Sequence, residues 1–305
     1  MPREGGPTRV GRREQLPQRP ALGRVKKQHR REKFMKKAFS WALYVTAAVW
    51  ACSFSMAYAQ DEPHHKITAQ EVAEALADPS ATINYFNLNY RRYQDVGPFD
   101  DTNNEIRLNM AGFFKLDEGK VTILYRAFLP YYMTDFPDDN GIGDALLSAY
   151  WVPGKGNFVV GPGAALMAPT ASEDYYGTGK WSAGPTVVGA YKVPGKLTLG
   201  GLVTHIWSLA GDEDRGDVSI TTIMPVVSLF INRKGTALAV GSETTYNWEA
   251  DDDNWTIPLT AGVNQILPPF GKFFIGIGLS GTKYLEKSEF YQEWDVRGTL
   301  SIVLP

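Results

Sequence analysis

The sequence predicts an all-β fold, a transmembrane antiparallel up-and-down β-barrel of about 12 strands with a short N-terminal helix. Three observations predict it. From about residue 82 onward, segments of roughly 10 to 14 residues alternate apolar with small or polar side chains, the period of strands that keep one face in an apolar medium. The connections between those segments alternate long and short on strict parity. The tryptophans that follow residue 60 all fall at predicted strand ends.

Composition sets the frame for these observations. The chain has 305 residues, 31 basic and 33 acidic, with a formal charge of -2, yet the charge is unevenly placed. Residues 1–34 hold 11 Lys/Arg and 3 Asp/Glu, net +8; residues 35–59 hold only Lys36 and Lys37; residues 60–305 carry 18 basic and 30 acidic groups, net -12. An acidic main body argues against nucleic acid as a partner. The single cysteine, Cys52, excludes a disulfide scaffold and any cysteine-based metal site in the body. No stretch of 18 or more apolar residues occurs after residue 60, so a helical span is excluded there and strands are left as the way across a membrane.

Residues 1–34, basic and rich in Pro and Gly, stand upstream of a complete export signal and read as a misannotated start. Residues 35–59 are that signal: Lys36 and Lys37 precede the apolar run WALYVTAAVWACSFSMAYA, which ends in Ala57-Tyr58-Ala59, with cleavage expected after Ala59. Ser53 and Ser55 interrupt the run, which argues against a membrane anchor. Trp50 is bulky where a lipoprotein signal ahead of Cys52 would want a small residue. Residues 60–81 form an N-terminal periplasmic segment, in which ITAQEVAEALA at 67–77 predicts a short helix. Thr68 and Glu71 have capping-box spacing, and Pro79 follows the end.

The barrel is expected over residues 82–305, with strands near 82–92, 104–116, 120–130, 142–153, 156–168, 181–193, 196–208, 217–232, 236–248, 254–266, 271–284 and 291–304. In the second strand Ile106, Leu108, Met110, Gly112, Phe114 and Leu116 share one face, and Arg107, Asn109, Ala111 and Lys115 the other. Odd-numbered connections are longer and mostly acidic, such as YYMTDFPDDNG, PTASEDYYGTGK and LAGDEDRG; even-numbered ones are turns such as DEG, PGKG, VPG, RKG and LPPFG. A sandwich has no reason to alternate in this way, whereas bacterial outer-membrane barrels pair short periplasmic turns with long external loops. On that topology Trp181, Trp207, Trp248, Trp255 and Trp294 are expected at the external membrane interface and Trp151 at the periplasmic one. Localisation in the outer membrane follows, with outer-membrane lipid, lipopolysaccharide and the barrel-assembly machinery as expected partners.

Several stretches carry a resemblance: Arg126 to Pro130 (RAFLP), Gly141 to Asp144 (GIGD), Gly161-Pro162-Gly163 running into Ala168-Pro169-Thr170, Gly177 to Pro185 (GTGKWSAGP), His205 to Ser208 (HIWS), and Trp255 with Pro258. Over about residues 80–305 the chain resembles the outer-membrane barrel transporter family labelled MetA-pathway of phenol degradation. The resemblance implies an outer-membrane barrel with a transport role, and adds little about the solute.

With the apolar face in lipid, the opposite face lines the lumen and brings inward Arg107, Lys115, Arg126, Asp144, Lys192, Glu243 and Arg297. Charges inside a membrane barrel mark either a wet path or a buried ion-pair network. Asp144 is expected to pair with Arg126 on the adjacent strand. Twelve strands lie between barrels filled by side chains and open porins, so a narrow pore for a small solute is the expected function. Inward aromatics such as Phe113, Phe128 and Tyr150 favour a small organic or aromatic molecule. The alternatives are an integral outer-membrane hydrolase and a structural barrel displaying acidic loops. A hydrolase would need His205 as base, but Ser208 three residues on lies on the opposite strand face, so no catalytic residue is assigned and His205 reads as an interface residue. No metal site and no cofactor is expected.

Overall fold

A computed structural model describes residues 67–97, 101–116, 121–134, 139–152, 156–289 and 291–304. The expected extension and signal peptide lie outside these residues. One helix, α1 (Ala69–Ala77), precedes β1 (Asn84–Val96), β2 (Asp101–Leu116), β3 (Val121–Thr134), β4 (Asp139–Ile142), β5 (Ala145–Val152), β6 (Phe158–Ala168), β7 (Lys180–Val193), β8 (Leu197–Gly211), β9 (Ser219–Phe230), β10 (Thr236–Gly241), β11 (Thr244–Asn247), β12 (Trp255–Ile266), β13 (Phe274–Glu286) and β14 (Gln292–Leu304). β4 and β5 follow one another along β3, and β10 and β11 follow one another between β9 and β12. The fourteen segments therefore make twelve staves.

All pairings are antiparallel, and β1 pairs with β14 from Asn84↔Leu304 to Val96↔Gln292, which closes the sheet on itself. Closure leaves the sheet without a free edge, the condition for crossing a bilayer with strands. Alternation is visible in exposure: along β6, Phe158, Val160 and Leu166 point outward while Val159 and Ala165 are buried. The outward positions form a band that includes Leu108, Leu147, Val187, Leu199, Leu259 and Leu300. An apolar belt of this extent is a bilayer contact surface and would be a liability in water.

α1 has the capping box expected of Thr68 and Glu71, each side chain meeting the other's backbone N–H. Its apolar side meets the inward faces of the staves at the tight-turn end. Val72 and Ala73 are buried with Ile83, Ile266, Phe274 and Val303. The helix thus stands inside one mouth of the barrel. On another side of the wall, Leu124, Tyr150, Val152, Val159 and Val188 form a second apolar cluster on the inward face of β3 to β7. This cluster fills that side of the interior with side chains.

Pro162 has no N–H to give a ladder and interrupts the pairing of its strand. It does so on one side only: β6 pairs with β7 without a break through Pro162↔Val187, whereas pairing with β5 runs from Ala145↔Ala168 and stops at Tyr150↔Gly163. A residue without an N–H can end one ladder and leave the other intact. At Gly163 a Cβ would stand 2.2 Å from the Ala149 carbonyl oxygen, so this close approach requires glycine.

Candidate functional site: the barrel lumen

Most charged groups of the lumen come from alternate positions on three neighbouring staves: Asp295 and Arg297 on β14, Arg91 and its neighbour Tyr93 on β1, Glu105 and Arg107 on β2. Register sets them side by side. Arg91 lies opposite Glu105 on one side and Arg297 on the other, and Tyr93 lies opposite Asp295. Arg91 Nε is 3.7 Å from Asp295 Oδ1, and Arg91 Nη1 donates to the Tyr93 hydroxyl at 3.1 Å. That hydroxyl donates to Glu105 Oε2, while Arg107 Nε donates to Glu105 Oε1 at 2.5 Å. Tyr284 on β13 donates to Asp295 Oδ2 at 3.2 Å. Glu105 is 1% exposed and Asp295 0%; carboxylates so deeply placed persist only where cations and donors surround them.

The belt then crosses the lumen. Arg107 Nη1 lies 3.3 Å from each oxygen of Glu243, which stands between β10 and β11, five staves away around the wall. Two prolines explain why that stave is interrupted there. The register places Ser242 opposite Pro225 of β9 and Glu243 opposite Pro258 of β12, and neither proline can donate to the ladder. The Ser242 hydroxyl donates to the Pro258 carbonyl at 2.6 Å, which fastens the interruption. Arg107 is further seated over the Phe128 ring, 5.2 Å from its centroid. The Arg107–Glu243 pair is a bar across the barrel.

Below the bar lies a cavity of about 350 Å³, floored by Ala73, Leu76, Ala77 and Pro79 of the helix segment and walled in part by Arg126, Glu243 and Arg297. Arg126 sits on β3 opposite Ser148, and Asp144 lies four positions further along that stave, about 13 Å away at the usual strand rise. The expected Arg126–Asp144 pair is therefore corrected: the staves are adjacent, but the depths differ. Asp144 instead accepts from Ala171 N (3.2 Å), Thr178 N (2.7 Å) and Thr178 Oγ1 (2.9 Å), holding down the connection between β6 and β7. Lys192 reaches α1, with Nζ 2.7 Å from Asp78 Oδ2 just past the helix. Lys115 is exposed near the tight-turn end, its Nζ 5.7 Å from the centre of the Phe113 ring.

Of the residues expected inside, Arg107 and Glu243 meet each other, Arg126, Glu243 and Arg297 share one cavity, and Lys115, Asp144 and Lys192 stand apart from it. Sequence reasoning missed Arg91, Tyr93, Glu105, Tyr284 and Asp295. Two of these had a readable signal, because Glu105 and Asp295 stand two residues from Arg107 and Arg297 and so share their strand face.

Outside the wall, Trp151, Trp181, Trp207, Trp248, Trp255 and Trp294 are all exposed. Trp248 and Trp255 each pack edge-on against Tyr246, at 4.7 Å between centroids. His205 lies 5.2 Å from Trp207 and 6.4 Å from Trp248, and its Nδ1 is 2.8 Å from Thr221 Oγ1. Ser208 turns elsewhere, donating to Asp217 Oδ1 at 3.1 Å. The His205–Ser208 contact that a hydrolase would need is not made.

No family model and no curated protein matches the chain. Among solved structures it is similar to an outer-membrane channel from Pseudomonas putida F1, at 17% identity and a TM-score of 0.56, over 75% of this chain and 97% of that one. It is also similar to the NanC porin, at 11% identity and a TM-score of 0.47, over 73% of this chain and 99% of that one. The first likeness carries the fold. The chain is an outer-membrane β-barrel, and the closed twelve-stave wall with its apolar outer band agrees.

Proposed function

We propose that this barrel passes a small solute across the outer membrane through a narrow, charged lumen. The observation that carries the reading is the Arg107–Glu243 bar above an unfilled interior cavity, an arrangement that narrows a path without packing it solid. Arg107, Arg126, Glu243 and Arg297 are the selectivity groups on this reading; Lys115 guards the periplasmic mouth, and Asp144 and Lys192 hold the coverings at the two ends. The six exposed tryptophans seat the barrel at the membrane interfaces. Residues 35–59 export the chain, the barrel-assembly machinery inserts it, and the long connections face lipopolysaccharide. The aromatic groups among the lumen charges, with the resemblance to phenol-pathway transporters, support a small organic or aromatic solute. The similarity to an outer-membrane channel supports a conducting and non-enzymatic role.

The test is planar-bilayer conductance of the refolded full chain, with heat-modifiable gel migration as proof of folding. Discrete current steps are expected, and Glu243→Gln is expected to widen them and shift the reversal potential toward anions. A folded barrel that passes neither current nor small solutes would overturn the reading.

A further inference from the structure

Three carboxylates and three arginines face one another in the belt, but only two of the arginines make its ion pairs. Asp295, Glu105 and Glu243 are taken up by Arg91 and Arg107. Arg297, the third, makes no ion pair or hydrogen bond among the described residues. It stands directly opposite Arg91 in the β1–β14 ladder, where like charges repel, and its Nε is buried with no acceptor. A buried cation without a hydrogen-bond acceptor carries a desolvation cost that a bound anion would offset. Arg126 is the second such group, forming no hydrogen bond or ion pair among the described residues. Both arginines line the same 350 Å³ cavity. Asn87, whose Oδ1 is also buried without a partner, lines it too and can turn its amide donors inward. Glu243, the one carboxylate among the described residues of this wall, is already held by Arg107. The rest of the lining is apolar in part, with Leu76, Tyr85, Leu202 and Met224.

We infer that this cavity is a binding site for a small organic carboxylate, its carboxyl group on Arg297 and its carbon skeleton against the apolar wall. Guanidinium offers a planar fork of donors matched to a carboxylate, and the cavity is of the size that takes a small ligand. The inference deepens the passage reading by naming a solute class, and rests on it only for the site's purpose.

The experiment is calorimetric titration of the detergent-folded full chain with benzoate, and with benzyl alcohol and benzylamine as neutral and cationic counterparts of the same shape. Benzoate is expected to bind about tenfold or more tightly than either counterpart, the scale of a charge-assisted hydrogen bond. Arg297→Gln should remove that preference, Arg297→Lys should keep part of it, and high salt should weaken it. Equal binding of the three compounds, or a benzoate preference unchanged in Arg297→Gln, overturns the inference. Heat-modifiable migration of each variant guards against reading misfolding as lost binding. Solute entry into proteoliposomes is measured separately: benzoate binding without entry would sink the passage reading and leave the site standing, whereas entry without benzoate preference would do the reverse.

Discussion

The two ends of the lumen are covered by different physics. At the tight-turn end, α1 is held by apolar burial, with Val72 at 0% exposure, and, among the described residues, by two polar tethers: Lys192 to Asp78, and the Gly195 N–H to Glu74 Oε1 at 3.0 Å. At the long-connection end, residues 169–179 are held almost wholly by hydrogen bonds. Asp144 accepts three, and Ser172 Oγ accepts from Ile142 N at 3.0 Å. Arg215 donates to the carbonyls of Asp174 (2.6 Å), Gly177 and Thr178 (3.3 Å). Tyr176 stacks on the inward-facing Tyr132, so this connection leans into the mouth. Apolar burial has no charge attraction for salt to screen, whereas a polar clasp at a wet rim competes with water. The helix is thus the firmer cover and the loop the more easily lifted one.

The comparison breaks most sharply at Val72. Val72→Asp removes about 1.5–3 kcal/mol of apolar burial and adds the cost of desolvating a carboxylate beside Phe274 and Val303. The helix should leave its seat while the barrel stays closed, since β1 to β14 make the closing pairs without it. Single-channel conductance should rise severalfold and heat-modifiable migration should persist. Unchanged conductance in a folded variant would mean that α1 does not obstruct the path.

Why was the helix legible and the charged belt only half legible? Capping depends on residues three apart, and Thr68 and Glu71 are close enough in sequence for their spacing to state the geometry. Strand alternation is equally local, and placed Arg107, Arg126 and Arg297 on the inward face. Which of those groups meet is decided by register and by closure. Arg107 finds Glu243 at a separation of 136 residues. Arg126 and Asp144 lie on adjacent staves yet miss one another, because adjacency fixes the neighbour and not the depth. Pro225 and Pro258 were both in view, but their joint effect on Glu243 needs the knowledge that β9 and β12 flank it.

At the opposite end, the clasp is sharpened by Arg215→Ala. Three donations to backbone carbonyls are lost, and a charge-assisted bond contributes about 1.5–3 kcal/mol where it is shielded, less at a wet rim. Residues 169–179 should be cut faster by protease added to folded barrels, by about tenfold for each 1.4 kcal/mol lost. The α1 segment should be cut no faster than in the parent. Equal acceleration at both ends would show the two covers to be coupled through the lumen.

The smallest effect is expected from Thr68→Ala, which tests whether the helix is held by its seat or by its own folding. The Thr68 side chain caps the first turn and the Glu71 carboxylate returns to the Thr68 N–H at 2.7 Å, at an exposed position away from the apolar contact. Loss of such a cap costs about 1 kcal/mol, so brief openings of the mouth should become about fivefold more frequent while the open conductance stays the same. A helix this short is marginal without packing, so the cap can shift the population of the seated state without creating it. If Thr68→Ala opened the barrel as fully as Val72→Asp, intrinsic helix formation and not burial would be holding the cover, and the contrast between the two ends would fail.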